Sequence, residues 1–82
     1  MKTHIIKTDM IPFIAMWEGD KTLEFRWNDR DYQVGDKIVS VYAESLACII
    51  GIVTHIQHGY GIPSGYVCMS IKVVQKLRGY NA

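Results

Sequence analysis

The segment "GDKTLEFRWNDRDYQVGD", Gly19–Asp36, carries two Arg, one Lys, one Glu and four Asp between two strongly apolar regions. Its first residue can end a helix, because glycine enters the left-handed conformation without a Cβ penalty. From Lys21 the period of the sequence is two. Leu23, Phe25 and Trp27 point one way and Thr22, Glu24, Arg26 and Asn28 the other, which predicts a strand with an apolar face on the core and a polar face outside. "NDRDYQVGD" then stops the strand with turn formers, and Gly35–Asp36 predicts a tight turn before the next strand.

Working outward, "THIIK" (Thr3–Lys7) is a short β-rich run, and "DMIPFIAMWEG" places Met10, Phe13, Ile14 and Trp17 at helical spacing. That stripe predicts the docking face of an amphipathic helix, with Asp9 as its cap and Pro12 tolerated in the first turn. Downstream, "KIVSVYAE" (Lys37–Glu44), "ACIIGIVTHIQ" (Ala47–Gln57) and "YVCMSIKVV" (Tyr66–Val74) read as strands, Gly51 marking a bulge or a close backbone approach. The order β-α-β-β-β-β predicts an α+β, mostly β fold. It is a small, strongly curved sheet or barrel of five to six strands with one N-terminal helix packed at its side. With 82 residues there is room for one domain, 1–82, with a less ordered tail from about residue 76.

A net charge of +1 argues against a strong non-specific polyanion binder. The distribution is less even than the sum. Residues 1–44 hold all eight acids and six of the nine Lys and Arg; from Ser45 there are no acids, and Lys72, Lys76 and Arg78 give a mildly basic half. Cys48 and Cys68 lie in β-like runs without CxxC spacing and predict two buried free thiols rather than a disulfide or zinc framework. His4, His55 and His58 show no metal-ligand spacing, so no metal or other cofactor is expected. Neither a leader-like apolar segment nor a membrane-length run is present, which predicts a cytoplasmic protein without membrane contact.

The run G-x-K-T-x-E-x-R (Gly19, Lys21, Thr22, Glu24, Arg26) resembles the signature of ASCH domains, which belong to the PUA-like superfamily of small RNA-associated β-barrels. "NDRDYQVGD", His4 and "GYVCMSI" look closer still to the small bacterial and phage family DUF3850, a branch of that group, over His4 to Ile71. The resemblance implies a pseudo-barrel with a cleft beside the helix, lined by the motif's Lys, Glu and Arg, and nucleic-acid or nucleotide-related binding.

The residues allow that chemistry independently. Alternate positions on a strand share a face at roughly 6–7 Å, so Glu24 stands between Thr22 and Arg26, with Lys21 at the strand mouth. Two cations and a carboxylate suit a ligand with acceptors and donors: Lys21 or Arg26 for phosphate, Glu24 for an exocyclic amine or ring N–H. Asn28, Arg30, His4 and Tyr66 complete the candidate set, the last as a stacking surface. Each has a structural alternative: a Glu24–Arg26 salt bridge, turn chemistry at Asn28–Arg30, a backbone-bonded histidine, and core packing for Trp27 and Tyr42. The loop "HGYGIPSG" is long enough to gate the cleft.

The main expectation is a binding domain for RNA, a nucleotide or a nucleoside. A hydrolase acting on RNA or a modified nucleoside is the alternative, with Lys21, Thr22 and Glu24 as candidate catalytic groups. Some ASCH relatives are amidohydrolases of acylated cytidine that use a Lys and a Thr three residues after it; here that position is Glu24, so the nucleophile is missing. A protein-interaction module, as a homodimer or with another protein in transcription or translation, is the third reading.

Overall fold

The computed structural model describes residues 1–79 and shows the predicted order: β1 (Thr3–Lys7), α1 (Met10–Trp17), β2 (Leu23–Trp27), β3 (Lys37–Tyr42), β4 (Ala47–Gln57) and β5 (Tyr66–Leu77). The tail expected from about residue 76 falls partly on residues 80–82, outside the described residues. The strands form a single curled sheet, a half-barrel in the order β1-β3-β4-β5-β2. Only β1 and β3 are parallel, and the chain between them supplies α1 and the far edge strand β2. No helix among the described residues is long and apolar enough to cross a membrane.

Gly19 stops α1 as expected. At φ +87° its amide donates to the Met16 carbonyl (3.2 Å) and that of Asp20 to the Ala15 carbonyl (2.9 Å), the paired bonds of a Schellman motif. This reversal delivers Lys21 beside the first turn of the helix. Two expectations for α1 are corrected. The Asp9 side chain makes no capping hydrogen bond, and the docking face is Phe13, Met16 and half-buried Trp17, whereas Met10 and Ile14 are exposed. The helix meets the sheet at one end only, so a stripe narrower than the sequence pattern is covered.

The concave face holds the core. Ile6, Ile38, Val53, Val67, Met69 and Ile71 pack with Tyr32 in one cluster, while Phe13, Met16 and Ile49 form a second where α1 covers the end of the sheet. Gly51 sits at a register shift in the β4–β5 pair, where a Cβ would run into Ile71 and the Lys72 carbonyl. The close approach read from the sequence is therefore present. Cys48 and Cys68 are free thiols but only half-buried, because both point away from the concave core.

β2 inverts its expected orientation. Glu24 is 3% exposed, while Leu23, Phe25 and Trp27 are 44%, 48% and 55% exposed, so the polar face points into the half-barrel and the apolar one outward. An edge strand whose inward carboxylate brings its own cations can make this exchange, since the buried charge arrives already paired. Trp27 is consequently not core, and Tyr42 is half-buried against Phe13.

Candidate functional site

Glu24 organises the inner edge of β2. Arg26 Nε donates to its Oε2 at 3.1 Å and Lys21 Nζ to its Oε1 at 3.5 Å, with both cations only partly buried. The Glu24–Arg26 salt bridge, the structural alternative for this pair, therefore forms and is extended by Lys21. These side chains line an open cleft of about 290 Å³, at the lower end of ligand-sized cavities, together with Leu23 and Phe25 of β2, Lys7 at the end of β1, and Thr8, Asp9 and Pro12 around the start of α1. Thr8 is 8% exposed and its hydroxyl has no hydrogen-bond partner among the described residues. A buried hydroxyl without a partner costs about 1–3 kcal/mol, so it stands out in a cleft that is otherwise well paired.

Arg26 and Arg30 also hold the half-barrel closed. Lys37 N donates to Lys2 O and Thr8 N to Val41 O, so the even-numbered residues of β1 engage β3. Ile5 and Lys7 accordingly present their carbonyls to the open side. Arg26 Nη2 reaches the Lys7 carbonyl at 3.1 Å and Arg30 Nη1 the Ile5 carbonyl at 2.8 Å. Two guanidinium groups thus stand where a sixth strand's amides would be. A second trough of about 490 Å³ lies over this seam, with Lys7, Arg26, Arg30 and the Trp27 ring among its walls.

The remaining candidates are dispersed. Thr22 lines a separate groove with Thr54, Ser70 and Lys72, so Lys21 and Thr22 do not meet as a base and nucleophile would. His4 is buried, and its Nε2 lies 2.8 Å from Asp36 Oδ2 and its ring edge-on to Tyr32 at 4.7 Å; it is neither bonded to backbone nor part of the cleft. Asn28 serves its turn by accepting the Tyr32 amide at 2.9 Å. Tyr66 lies on the outer face, stacked on Phe25, and the loop before it touches Trp27 and Asn28 rather than the cleft.

Asp36 is more than the turn residue expected. Its carboxylate accepts from His4 and from the backbone amides of Lys2 and Gln33, both at 3.0 Å, and the His4 bond above all lowers its pKa to about 2 against the opposing effect of burial. Burial likewise pushes the neighbouring Tyr32 phenol up, opposed by Arg30 and Arg26. Among the described residues no group of three His, Cys, Asp or Glu is placed to hold a metal ion.

The profile of a family described as a domain of unknown function (DUF3850) matches residues 3–71, most of the chain. The chain belongs to this family. No curated protein matches it. The DUF3850 match takes in β1 through the first half of β5, so the cleft, the arginine seam and the His4–Asp36 pair all lie within the family region. Lys7 and Thr8 were missed in the sequence. Their signal was position, a Lys-Thr-Asp run leading into a helix N-terminus, but strand periodicity drew attention to β2 instead.

Proposed function

We propose that the cleft binds the phosphate-bearing part of an RNA or a nucleotide. The observation that carries this reading is the unpartnered, buried Thr8 hydroxyl beside two cations that a buried Glu24 holds in place. A tetrahedral oxyanion would accept from Thr8, Lys21 and Arg26 together, and the start of α1 adds a favourable dipole, the two cations and the dipole acting against the Asp9 carboxylate on the same wall. Glu24 then positions the cations rather than contacting the base, since its own side chain is almost closed to solvent. The motif's resemblance to ASCH domains of the PUA-like superfamily supports the same ligand class. Separation of Thr22 from the cleft makes binding the better reading than acyl-group hydrolysis.

The test is a ¹⁵N NMR titration of the protein with a short single-stranded RNA, nucleoside monophosphates and phosphate-free nucleosides, with mass spectrometry of each mixture. Saturable, salt-sensitive shifts at Lys7–Asp9 and Lys21–Arg26 with the phosphate-bearing ligands, lost in Lys21→Ala, are expected. Nucleosides that bind as tightly as their phosphates would overturn the reading, and product formation that depends on Glu24 would replace it with hydrolysis.

A further inference from the structure

The outward face of β2 carries aromatic side chains that the proposed phosphate contacts do not use; Leu23 and Phe25 reach the rim of the cleft, whereas Trp27 and Tyr66 lie outside it. Phe25 and Tyr66 stack with centroids 5.3 Å apart and planes at 12°, and Trp27 meets Tyr66 edge-on, also at 5.3 Å. Phe25 is paired in the sheet with Cys68 and Cys68 with Gln57, so a hydrogen-bonding amide shares their face. Gly65 lies flat against the Trp27 ring, where any Cβ would collide, which fixes the indole's position. Phe25 and Trp27 are about half exposed, and both rings contact Tyr66.

We infer that this face is a stacking platform for two or three bases of a single-stranded nucleic acid whose backbone follows the β2 edge. The inference rests on the proposed function for its ligand class and extends it to a polymer. Charge complementarity favours this occupant. Trp27 shares its trough with three cations, Lys7, Arg26 and Arg30, against one acid, Asp29, and neither Lys7 nor Arg30 is ion-paired to an acid among the described residues. The trough and the cleft have Lys7 and Arg26 in common, so a path that is basic on balance runs from beside Trp27 to Thr8, with Asp29 and Asp9 as the acids on its walls besides the paired Glu24. Aromatic rings beside a basic groove are the means by which bases are held without sequence-specific contacts. Area argues against a second copy of the chain. Leu23, Phe25 and Trp27, each about half exposed, offer roughly 300 Å², well below the ~800 Å² per partner of a stable interface.

Trp27 reports on the inference directly, because the chain has two tryptophans and Trp17→Phe leaves it as the single emitter. In that background, eight-nucleotide oligo(U) and oligo(dT) are titrated alongside inorganic polyphosphate, with the mass in solution followed by light scattering. Saturable quenching by the oligonucleotides but not by polyphosphate is expected. Phe25→Leu should weaken oligonucleotide binding roughly 5- to 150-fold, whereas Phe25→Tyr, which keeps a stacking ring and guards against a folding artefact, should retain it. Because Phe25 also lines the cleft, polyphosphate binding should fall far less than oligonucleotide binding in Phe25→Leu and be kept in Phe25→Tyr. Oligonucleotide binding that is lost in Lys21→Ala yet indifferent to Phe25→Leu and gives no quenching would overturn the platform and leave the cleft reading intact. Polyphosphate that does not bind, with Lys21→Ala neutral, would count against the cleft instead. A dimer that dissociates on Trp27→Leu, with no oligonucleotide bound, would reassign the face to self-association.

Discussion

Replacing Asp36 with alanine should be the most damaging single change to a polar residue in this fold. The carboxylate is almost fully buried and is the acceptor for three donors from separate places in the chain: the His4 ring, the Lys2 amide and the Gln33 amide. Asp36→Ala leaves the imidazole and part-buried amides without partners, and removing one member of such a pair costs about 3–5 kcal/mol. Total stability for a chain of this size is roughly 4–12 kcal/mol. At about 4–8 °C per kcal/mol, the lower bound alone lowers Tm by roughly 12–24 °C, readable by calorimetry or by circular dichroism. A double-mutant cycle with His4→Phe isolates the ring's share, and a coupling of about 0.5–3 kcal/mol is expected. The same geometry sets a pH dependence. The folded pKa is about 2, below the ordinary value of 3.8, so Asp36 stabilises the fold above about pH 4 and its contribution is lost as pH falls towards 2. A loss below 1 kcal/mol in Asp36→Ala, or an Asp36 carboxyl that titrates near pH 4 by NMR, would refute this account.

Three further outcomes follow from separate features. Thr8→Val removes a hydroxyl without orphaning any partner, so stability should hold or rise by about 1 kcal/mol while phosphate-ligand binding falls; a loss of stability would reveal a hidden partner. Gly51→Ala places a methyl against Ile71 and the Lys72 carbonyl and should cost about 1–3 kcal/mol in denaturant unfolding, an unchanged midpoint showing that the strands can part there. Arg30→Ala removes one exposed bond to the Ile5 carbonyl, so stability should fall by no more than about 1 kcal/mol, yet amide exchange along Thr3–Lys7 should quicken.

Element order along the chain and element type were legible because the first parts of β4 and β5 alternate and because Gly19 and Gly35 punctuate the chain where backbone geometry requires a positive φ, whereas the order of the strands in the sheet was not. Orientation was not legible on β2. Period-two alternation says that two faces differ but not which is inside, and the usual assignment of the apolar face to the core fails once an inward Glu24 carries its own Lys and Arg. The Lys21–Glu24–Arg26 cluster could be assembled from sequence because its members lie within six consecutive residues. Asp36 with His4, Arg30 with Ile5, and Thr8 with the cleft could not, since those contacts come from the parallel β1–β3 pairing and from curling of the sheet.

Arg26 joins the cleft to the arginine seam, and its substitution separates charge from geometry. Its Nε is spent on Glu24 and its Nη2 on the Lys7 carbonyl, which leaves donors of the planar guanidinium to face the cleft and the trough on either side. Lysine at this position keeps the positive charge but has no fork, so it can serve Glu24 or the β1 carbonyl but not both in that geometry. Arg26→Lys should therefore preserve part of the electrostatic attraction for a phosphate ligand while loosening the seam between β1 and β2. The expected signature is a salt dependence of binding close to that of the original protein, weaker affinity, and faster amide exchange in β1. Arg26→Ala should weaken the salt dependence as well, with a slope smaller by about one. If Arg26→Lys bound as tightly as the original with β1 equally protected, the guanidinium would be acting as a charge alone, and closure of the half-barrel would have to depend on Arg30 and the loop turns instead.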